Sequence, residues 1–300
     1  MAYIVKNPGL IPSLKSLRAG DIAQRRKALG EMLEGCWQSC ISADPQSEHQ
    51  FVANAIIANP PSFAHVHCAQ ALGVPSHIMF TMPWTCTQAF PHPLANMKVP
   101  EGSDLRVGNY LSYKVVDWML WQSMGDIVNR WRKRTLDLEE VPYLEGPGLV
   151  DRLCIPHTYC WSPALVPKPR DWPATVDVCG FFFREPPDYK PPSDFAAFLQ
   201  AGEQPVYIGF GSIVLDDVAA MTAIVLNAIE ELGIRALVSR GWSNLGEGME
   251  SDDNIFFVDD CPHEWLFQYV SVVVHHGGVG TTACGLRNGK PTVIVPFFGE

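Results

Sequence analysis

The sequence has no Asp-x-Asp motif, no Cys-x-x-Cys pair and no Gly-x-Gly-x-x-Gly turn. Without Asp-x-Asp there is no carboxylate pair of the kind that holds a divalent ion on a diphosphate, so no metal is expected at a phosphate site. The nine cysteines are an odd number without metal-ligand spacing, which points to small buried hydrophobes in a reducing compartment rather than to disulfides or zinc. With no glycine fingerprint behind the first strand of either half, an NAD-dependent oxidoreductase is disfavoured. Basic residues are scarce as well: 22 Lys and Arg stand against 32 Asp and Glu, a formal net charge of −10, with no basic stripe. Nucleic acid is therefore not expected as a partner, and the acidic surface reads as solubilising. No apolar run reaches membrane-span length and no charged-then-apolar signal opens the chain, so a cytoplasmic protein is expected.

What is present is enough apolar matter for a sizeable core, since 47% of the 300 residues are hydrophobic. Leu29, Met32, Leu33, Cys36, Trp37 and Cys40 recur at helical spacing behind Asp21, a candidate cap. A strand over 53–58, a stop at Pro60-Pro61, a helix over 63–72 and a strand over 77–81 then make a βαβ pattern. Residues 82–108 are loop-like and rich in Pro and aromatics, after which Leu111, Val115, Trp118, Met119, Ile127 and Trp131 mark a long helix. Strands are expected over 153–155 and 176–183. Four prolines within 184–193 stop both helix and strand, which places a domain boundary there, between 1–190 and 193–300.

Beyond that boundary the alternation is regular. Strands are expected over 205–210, 235–239, 255–258, 270–275 and 292–295, with helices over 218–232, 262–269 and 280–288. Repeated βα units imply a parallel, doubly wound sheet that binds ligands at the carboxyl ends of its strands. The stretch that organises the whole is Val270-Ser-Val-Val-Val-His-His-Gly-Gly-Val-Gly-Thr-Thr-Ala-Cys-Gly285. A β-branched run without alternation reads as a strand buried on both faces, and Gly277, Gly278 and Gly280 let the next helix bring its free amides against an anion. His276 and the hydroxyls of Thr281 and Thr282 are placed to donate to phosphate oxygens, whereas His275 must point the other way. Metal ligation by the two histidines is disfavoured because no third ligand clusters near them. Trp242, an aromatic in a glycine loop at a strand end, is poorly placed for a core and reads as a ligand contact, while Trp265 reads as core.

At these residues the chain resembles the UDP-sugar glycosyltransferases, in particular the sterol 3-β-glucosyltransferases of the fungal type. The run His275-His-Gly-Gly-Val-Gly-Thr-Thr282, continued by Gly289-Lys-Pro-Thr-Val-Ile-Val-Pro-Phe-Phe-Gly-Glu300, is similar to their donor-binding signature. Thr81-Met-Pro-Trp84 with Phe90-Pro-His-Pro93, Tyr159-Cys-Trp-Ser-Pro163, Ile208-Gly-Phe-Gly-Ser-Ile213 and Cys261-Pro-His-Glu-Trp-Leu-Phe267 match in the same order. The resemblance implies an α/β fold of the GT-B type, with two Rossmann-like doubly wound parallel-sheet domains. The first, 1–190, would bind the acceptor, and the second, 193–300, the UDP-sugar donor. Ser212 would face the diphosphate, and His276, Gly278, Val279, Gly280, Thr281 and Thr282 would surround it. The Cys261 backbone and His263 would hold the uracil. Glu300 stands where the family has an Asp that binds sugar hydroxyls. The loop from Trp84 to Pro93, with Phe90 and His92, is aromatic enough to line a pocket for a flat apolar acceptor, a reading weighed against packing of the loop on itself.

The activity implied is inverting, metal-independent transfer from UDP-glucose to a sterol or similar lipid hydroxyl, with no cofactor beyond the donor and with peripheral attachment to membranes. The family's glycine-rich opening segment, which helps activate the acceptor, has no counterpart after Met1, so no residue is assigned as catalytic base. Both domains are expected to be truncated. A second reading follows, in which the chain binds UDP or a partner protein without turnover. The missing strands would leave 53–58 as an uncovered edge, making 1–183 the less stable half.

Overall fold

A computed structural model describes residues 21–44, 46, 49–95, 102 and 104–297. Contacts divide the chain between Gly180 and Phe181 into two compact units.

The first unit carries, in order, α1 (Asp21–Ile41), β1 (Ile56–Ala58), α2 (His65–Leu72), β2 (Ser76–Phe80), α3 (Leu105–Thr135), α4 (Leu149–Arg152), β3 (His157–Tyr159) and β4 (Val176–Val178). The strands are parallel and lie in chain order. Leu33 of α1 packs with Trp121, Met124, Ile127, Val128 and Trp131 of α3 and with Cys68 of α2, so the periodic apolar faces meet in one core. Asp104 caps α3 by accepting the Arg106 amide, and Arg132, Lys133 and Arg134 in its last turn oppose the negative end of the helix dipole. Arg132 is itself buried. It donates to His67 Nδ1 (2.8 Å), Gln70 Oε1 (2.9 Å) and the Glu139 carbonyl (2.8 Å), tying α3 to α2.

The second unit carries α5 (Ser193–Gln200), β5 (Val206–Gly209), α6 (Val218–Leu232), β6 (Ala236–Ser239), β7 (Ile255–Val258), α7 (His263–Leu266), β8 (Val272–His275), α8 (Val279–Arg287) and β9 (Thr292–Ile294). All its strands are parallel, in the order β7-β6-β5-β8-β9, so the winding reverses between β5 and β8. A crevice at the carboxyl ends of β5 and β8 is where such a sheet binds ligands. Tyr207, Leu237 and Val273 fill one face with Phe195 and Phe267, while Ile208, Val238 and Phe257 fill the other with Val225 and Ile229.

Several expected elements differ; the helix expected over 262–269, for one, spans only His263–Leu266. The strand expected over 153–155 is instead the end of α4, with Leu153 as its C-cap, and the sheet strand begins after Pro156. The strand expected over 176–183 stops at Val178, because Gly180 turns to φ +98° and leaves the extended region. The strand expected over 53–58 begins only at Ile56, since the Ala53 amide bonds to the Cys40 carbonyl at the end of α1 (2.8 Å) rather than to the sheet. The candidate cap at Asp21 lies outside the described side chains.

Candidate functional site

The site is built from loops leaving strand ends. At the end of β5, Gly209 pairs with His275 of β8, which brings the next turns of both strands side by side. Gly211 (φ +57°) and Gly241 (φ +55°) then turn the loops after β5 and β6 toward each other. The Trp242 amide donates to the Gly211 carbonyl at 3.0 Å, and a Cβ on Gly241 would lie 2.7 Å from that same oxygen. Only glycine permits the approach. Ser243 completes the clamp, its hydroxyl donating to the Ile213 carbonyl (2.7 Å) and accepting from the Leu215 amide (2.8 Å).

The clamp edges a cleft of about 560 Å³ lined by Gly211, Ser212, Trp242, Cys261, His263 and Tyr207 among others. Trp242 is 77% exposed and so contributes to no core. Cys261 is buried, which pushes its thiol up to about 11 and keeps it neutral. His263 stacks on Phe267 with ring centroids 4.7 Å apart, and its Nε2 lies 3.0 Å from the Tyr207 hydroxyl. Burial holds the His263 imidazole below its ordinary range, partly offset by the charges of Glu264 and Asp260. The structure thus brings His263 to the cleft with Nε2 already committed, leaving Nδ1 as its remaining polar atom. Trp265 is partly buried and packs on the margin of the core, against Tyr189 and the buried Phe195.

His275 and His276 part company at the end of β8. His275 is fully buried, its Nδ1 accepts from the Gly277 amide at 3.0 Å, and burial pulls its pKa down to about 4. His276 is half-buried and borders Gly211, where a Cβ would lie 3.1 Å from its Cε1. Burial also holds the His276 imidazole below its ordinary range. Behind it, Gly278 caps α8, and the amides of Val279, Gly280 and Thr281 in the first turn have no acceptor within the helix. Apart from its chain neighbours and the backbone of its own helix, nothing lies within 4 Å of where a Cβ on Gly280 would stand. One expectation is corrected here: the Thr282 hydroxyl donates to the carbonyls of Gly277 and Gly278 (both 3.1 Å), so its proton is spent on the turn and is not offered to an anion. Glu300 lies outside the described residues.

In the first unit a cavity of about 130 Å³ lies between α3, the ends of β1 and β2, and residues 146–151. Trp84 lines it. Phe90 and His92 do not line this cavity and pack against other aromatic rings instead, chiefly rings from outside their own loop. His92 is 1% exposed, edge-on to Trp84 (4.4 Å) and Tyr113 (5.1 Å), and Phe90 abuts Trp172 (6.1 Å). The reason is the Tyr159 hydroxyl, which accepts the amides of Trp84 (3.0 Å) and Thr85 (2.7 Å) while its ring stacks between Trp161 and Trp172 (both 4.7 Å), drawing the loop inward. Sequence reading missed His65, Asp117 and His157, which also line the cavity. The available signal was Asp117, a carboxylate on the apolar side of α3.

Among the described residues no three His, Cys, Asp or Glu side chains gather as a metal site, and no helix is long and apolar enough to cross a membrane.

No protein-family profile matches the chain. Among curated proteins, sterol 3-beta-glucosyltransferase UGT80B1 of Arabidopsis thaliana is 47% identical over 302 residues, covering 100% of this chain and 47% of the relative. UGT80A2, a sterol 3-beta-glucosyltransferase of the same plant, is 44% identical over 99% of the chain and 45% of the relative. A sterol 3-beta-glucosyltransferase of the fungus Leptosphaeria maculans is 36% identical over 91% of the chain and 18% of the relative. The chain therefore spans less than half the length of these relatives. Of solved structures, the Streptomyces nogalater glycosyltransferase SnogD superposes with a TM-score of 0.54 at 17% identity, covering 98% of this chain and 66% of that one. Arabidopsis thaliana UGT89C1 complexed with UDP gives 0.53 at 15% identity, covering 96% and 62%. With two parallel α/β sheets and these neighbours, the fold is that of the GT-B glycosyltransferases. The chain belongs to the glycosyltransferase family represented by these sterol 3-beta-glucosyltransferases.

Proposed function

We propose that the chain serves the transfer of glucose from UDP-glucose to the hydroxyl of a sterol or similar lipid, with inversion at the anomeric carbon and without a metal ion. In this reading the second unit holds the donor. The diphosphate sits at the N-terminus of α8 against His276 and Ser212, the uracil lies along Cys261 and His263, and Trp242 closes the edge of the cleft. The acceptor oxygen loses its proton to a base, attacks the anomeric carbon and forms the new C–O bond as the bond to UDP breaks. That electron pair leaves on the β-phosphate, where the free amides of α8 and the His276 imidazole meet the charge. Each charge-assisted hydrogen bond is worth about 1.5–3 kcal/mol and a helix N-terminus about 0.3–2 kcal/mol, enough together to replace an ion. No residue of the chain is assigned as the base. We place the reaction in the cytoplasm, at a membrane surface that supplies the lipid.

The observation that carries this reading is the convergence on one cleft of the loops after β5, β6 and β7, with the turn after β8 bordering it through His276 and Gly211. The names of the relatives, and the UDP in the UGT89C1 complex, support the choice of donor and acceptor. Titration calorimetry with UDP, UDP-glucose and NAD tests the donor, followed by an assay for glucose transfer to sterol. Binding of UDP and UDP-glucose but not NAD is expected; absence of UDP binding overturns the reading.

A further inference from the structure

The nine cysteines are free thiols, and two of them meet across the first sheet. β3 and β4 are parallel, in a register that sets Tyr159 opposite Val178. The Cys179 amide then donates to the Tyr159 carbonyl at 3.0 Å, so the register continues by one residue and Cys160 stands opposite Cys179. Opposed residues of a ladder project from the same face, with the strands about 4.8 Å apart. That separation lies within the roughly 4.4–6.8 Å that a disulfide spans between Cα atoms. The two thiols are also within hydrogen-bond reach of each other.

The two sulfurs differ in access. Among the described residues β4 is the last strand of its sheet and Cys179 is exposed, whereas β3 is flanked by β2 and β4 and Cys160 is buried. Burial, reinforced by the neighbouring Cys179 thiol, pushes the Cys160 thiol up to about 11 and keeps it protonated. An oxidant in solution therefore meets Cys179 first, and Cys160 stands behind it as the second thiol. What lies between the two gives a bridge its use. Trp161 and Trp172 stack on the Tyr159 ring (both 4.7 Å), and the Asp171 carboxylate accepts from the Thr87 hydroxyl and the Gln88 amide (both 2.7 Å). The segment that holds the loop over 84–93 in place is thus the one that a link between Cys160 and Cys179 would close.

We propose that Cys160 and Cys179 form a site of reversible oxidation by glutathione disulfide, and that the resulting bridge fastens the segment 161–178 and, through Asp171, the loop over 84–93. The Cys179 thiolate attacks one sulfur of glutathione disulfide, forming a mixed disulfide and releasing one glutathione thiolate. Cys160 then gives up its proton and attacks the Cys179 sulfur; the new S–S bond forms as the bond to glutathione breaks, and the second glutathione leaves with that electron pair. Two cysteine thiols are oxidised, one glutathione disulfide is reduced, and the two protons end on the two glutathiones. Closing the loop removes conformational freedom from the chain within it. In a reducing compartment the pair stays open until the glutathione pool turns oxidising. The site lies wholly in the first unit and stands whether or not the second unit binds UDP.

The test equilibrates the full chain in buffers of reduced and oxidised glutathione, quenches it in acid and maps its peptides by mass spectrometry. A peptide linking Cys160 to Cys179, without glutathione, should dominate in the oxidising buffers and vanish on adding dithiothreitol. Cys160→Ser should instead hold glutathione on Cys179, and Cys179→Ser should leave Cys160 unmodified. Amide exchange at Gln88 and Trp172 should slow by about tenfold in the bridged chain. In the unmutated chain, a Cys179 that stops at the glutathione adduct or stays reduced overturns the inference, and that measurement needs no variant to fold. A bridged chain whose exchange at Gln88 and Trp172 is unchanged overturns it as well.

Discussion

The His276 imidazole lies so close to Gly278 that a Cβ on this glycine would stand 2.6 Å from Nε2, under the distance real Cβ atoms tolerate. The first residue outside α8 is thus glycine for the sake of the histidine beside it. Gly278→Ala should displace the ring from the helix end and weaken UDP binding by about 1–3 kcal/mol, the scale of a lost hydrogen bond to a charged group. Calorimetry on this variant checks it; an unchanged Kd would show that His276 is not held there for the phosphate.

His276→Ala should weaken UDP binding by a similar about 1–3 kcal/mol. His275→Ala should instead lower the melting temperature, because His275 is fully buried and its Nδ1 fixes the Gly277 amide at 3.0 Å. Equal losses of UDP affinity from the two substitutions would contradict the opposed directions of their side chains.

UDP affinity should be nearly the same in EDTA and in millimolar Mg²⁺, because amides and an imidazole are proposed to take the ion's place. A tenfold gain on adding Mg²⁺ would refute that arrangement.

Acid should destabilise the fold well before the carboxylates titrate. Burial lowers His65, His92 and His275 to about 4 and His67 to about 3, from an ordinary 6.5. The native state therefore binds fewer protons than the unfolded chain in this range, so the stability these groups contribute is complete above pH 6.5 and lost as pH falls toward 4. Asp117 works in the opposite sense between its ordinary 3.8 and about 7, but it is one group against four. Denaturant midpoints at pH 7.5, 6 and 5 should fall in that order. A flat profile would mean that the four histidines are not held neutral in the fold.

Among the described residues β1 pairs only with β2, and Ile57 is 69% exposed. An edge of this kind opens more readily than a strand paired on both sides. Amide exchange of Ile56–Ala58 should be fast relative to Val206–Gly209, which is flanked by β6 and β8. Slow exchange at Ile56–Ala58 in a monomer would show that this edge is covered.

Much of the second unit was legible because its signals are local. Helix Val218–Leu232 has the expected bounds, with Asp217 accepting the Ala220 amide at its start and Gly233 at φ +59° ending it. Strand Ile255–Val258 likewise matches, since its β-branched and aromatic run is bounded by polar residues. Short elements fared worse. The stretch read as a strand at 153–155 is too short for periodicity to tell strand from helix end.

By itself, then, the sequence determined the alternation of strands and helices and the glycine turns that bring backbone to a cleft, because both follow from period, side-chain branching and the φ a residue permits. Only the tertiary structure decided which polar atoms remain to be used. The Thr282 proton is spent on its own turn, His92 is buried behind Trp84, and Asp117 faces a cavity with His65 and His157. Each outcome depends on partners brought together by the fold, such as the Tyr159 hydroxyl that draws in the loop 75 residues earlier in the chain, and a hydrogen bond across that separation leaves no mark on the local pattern of residues.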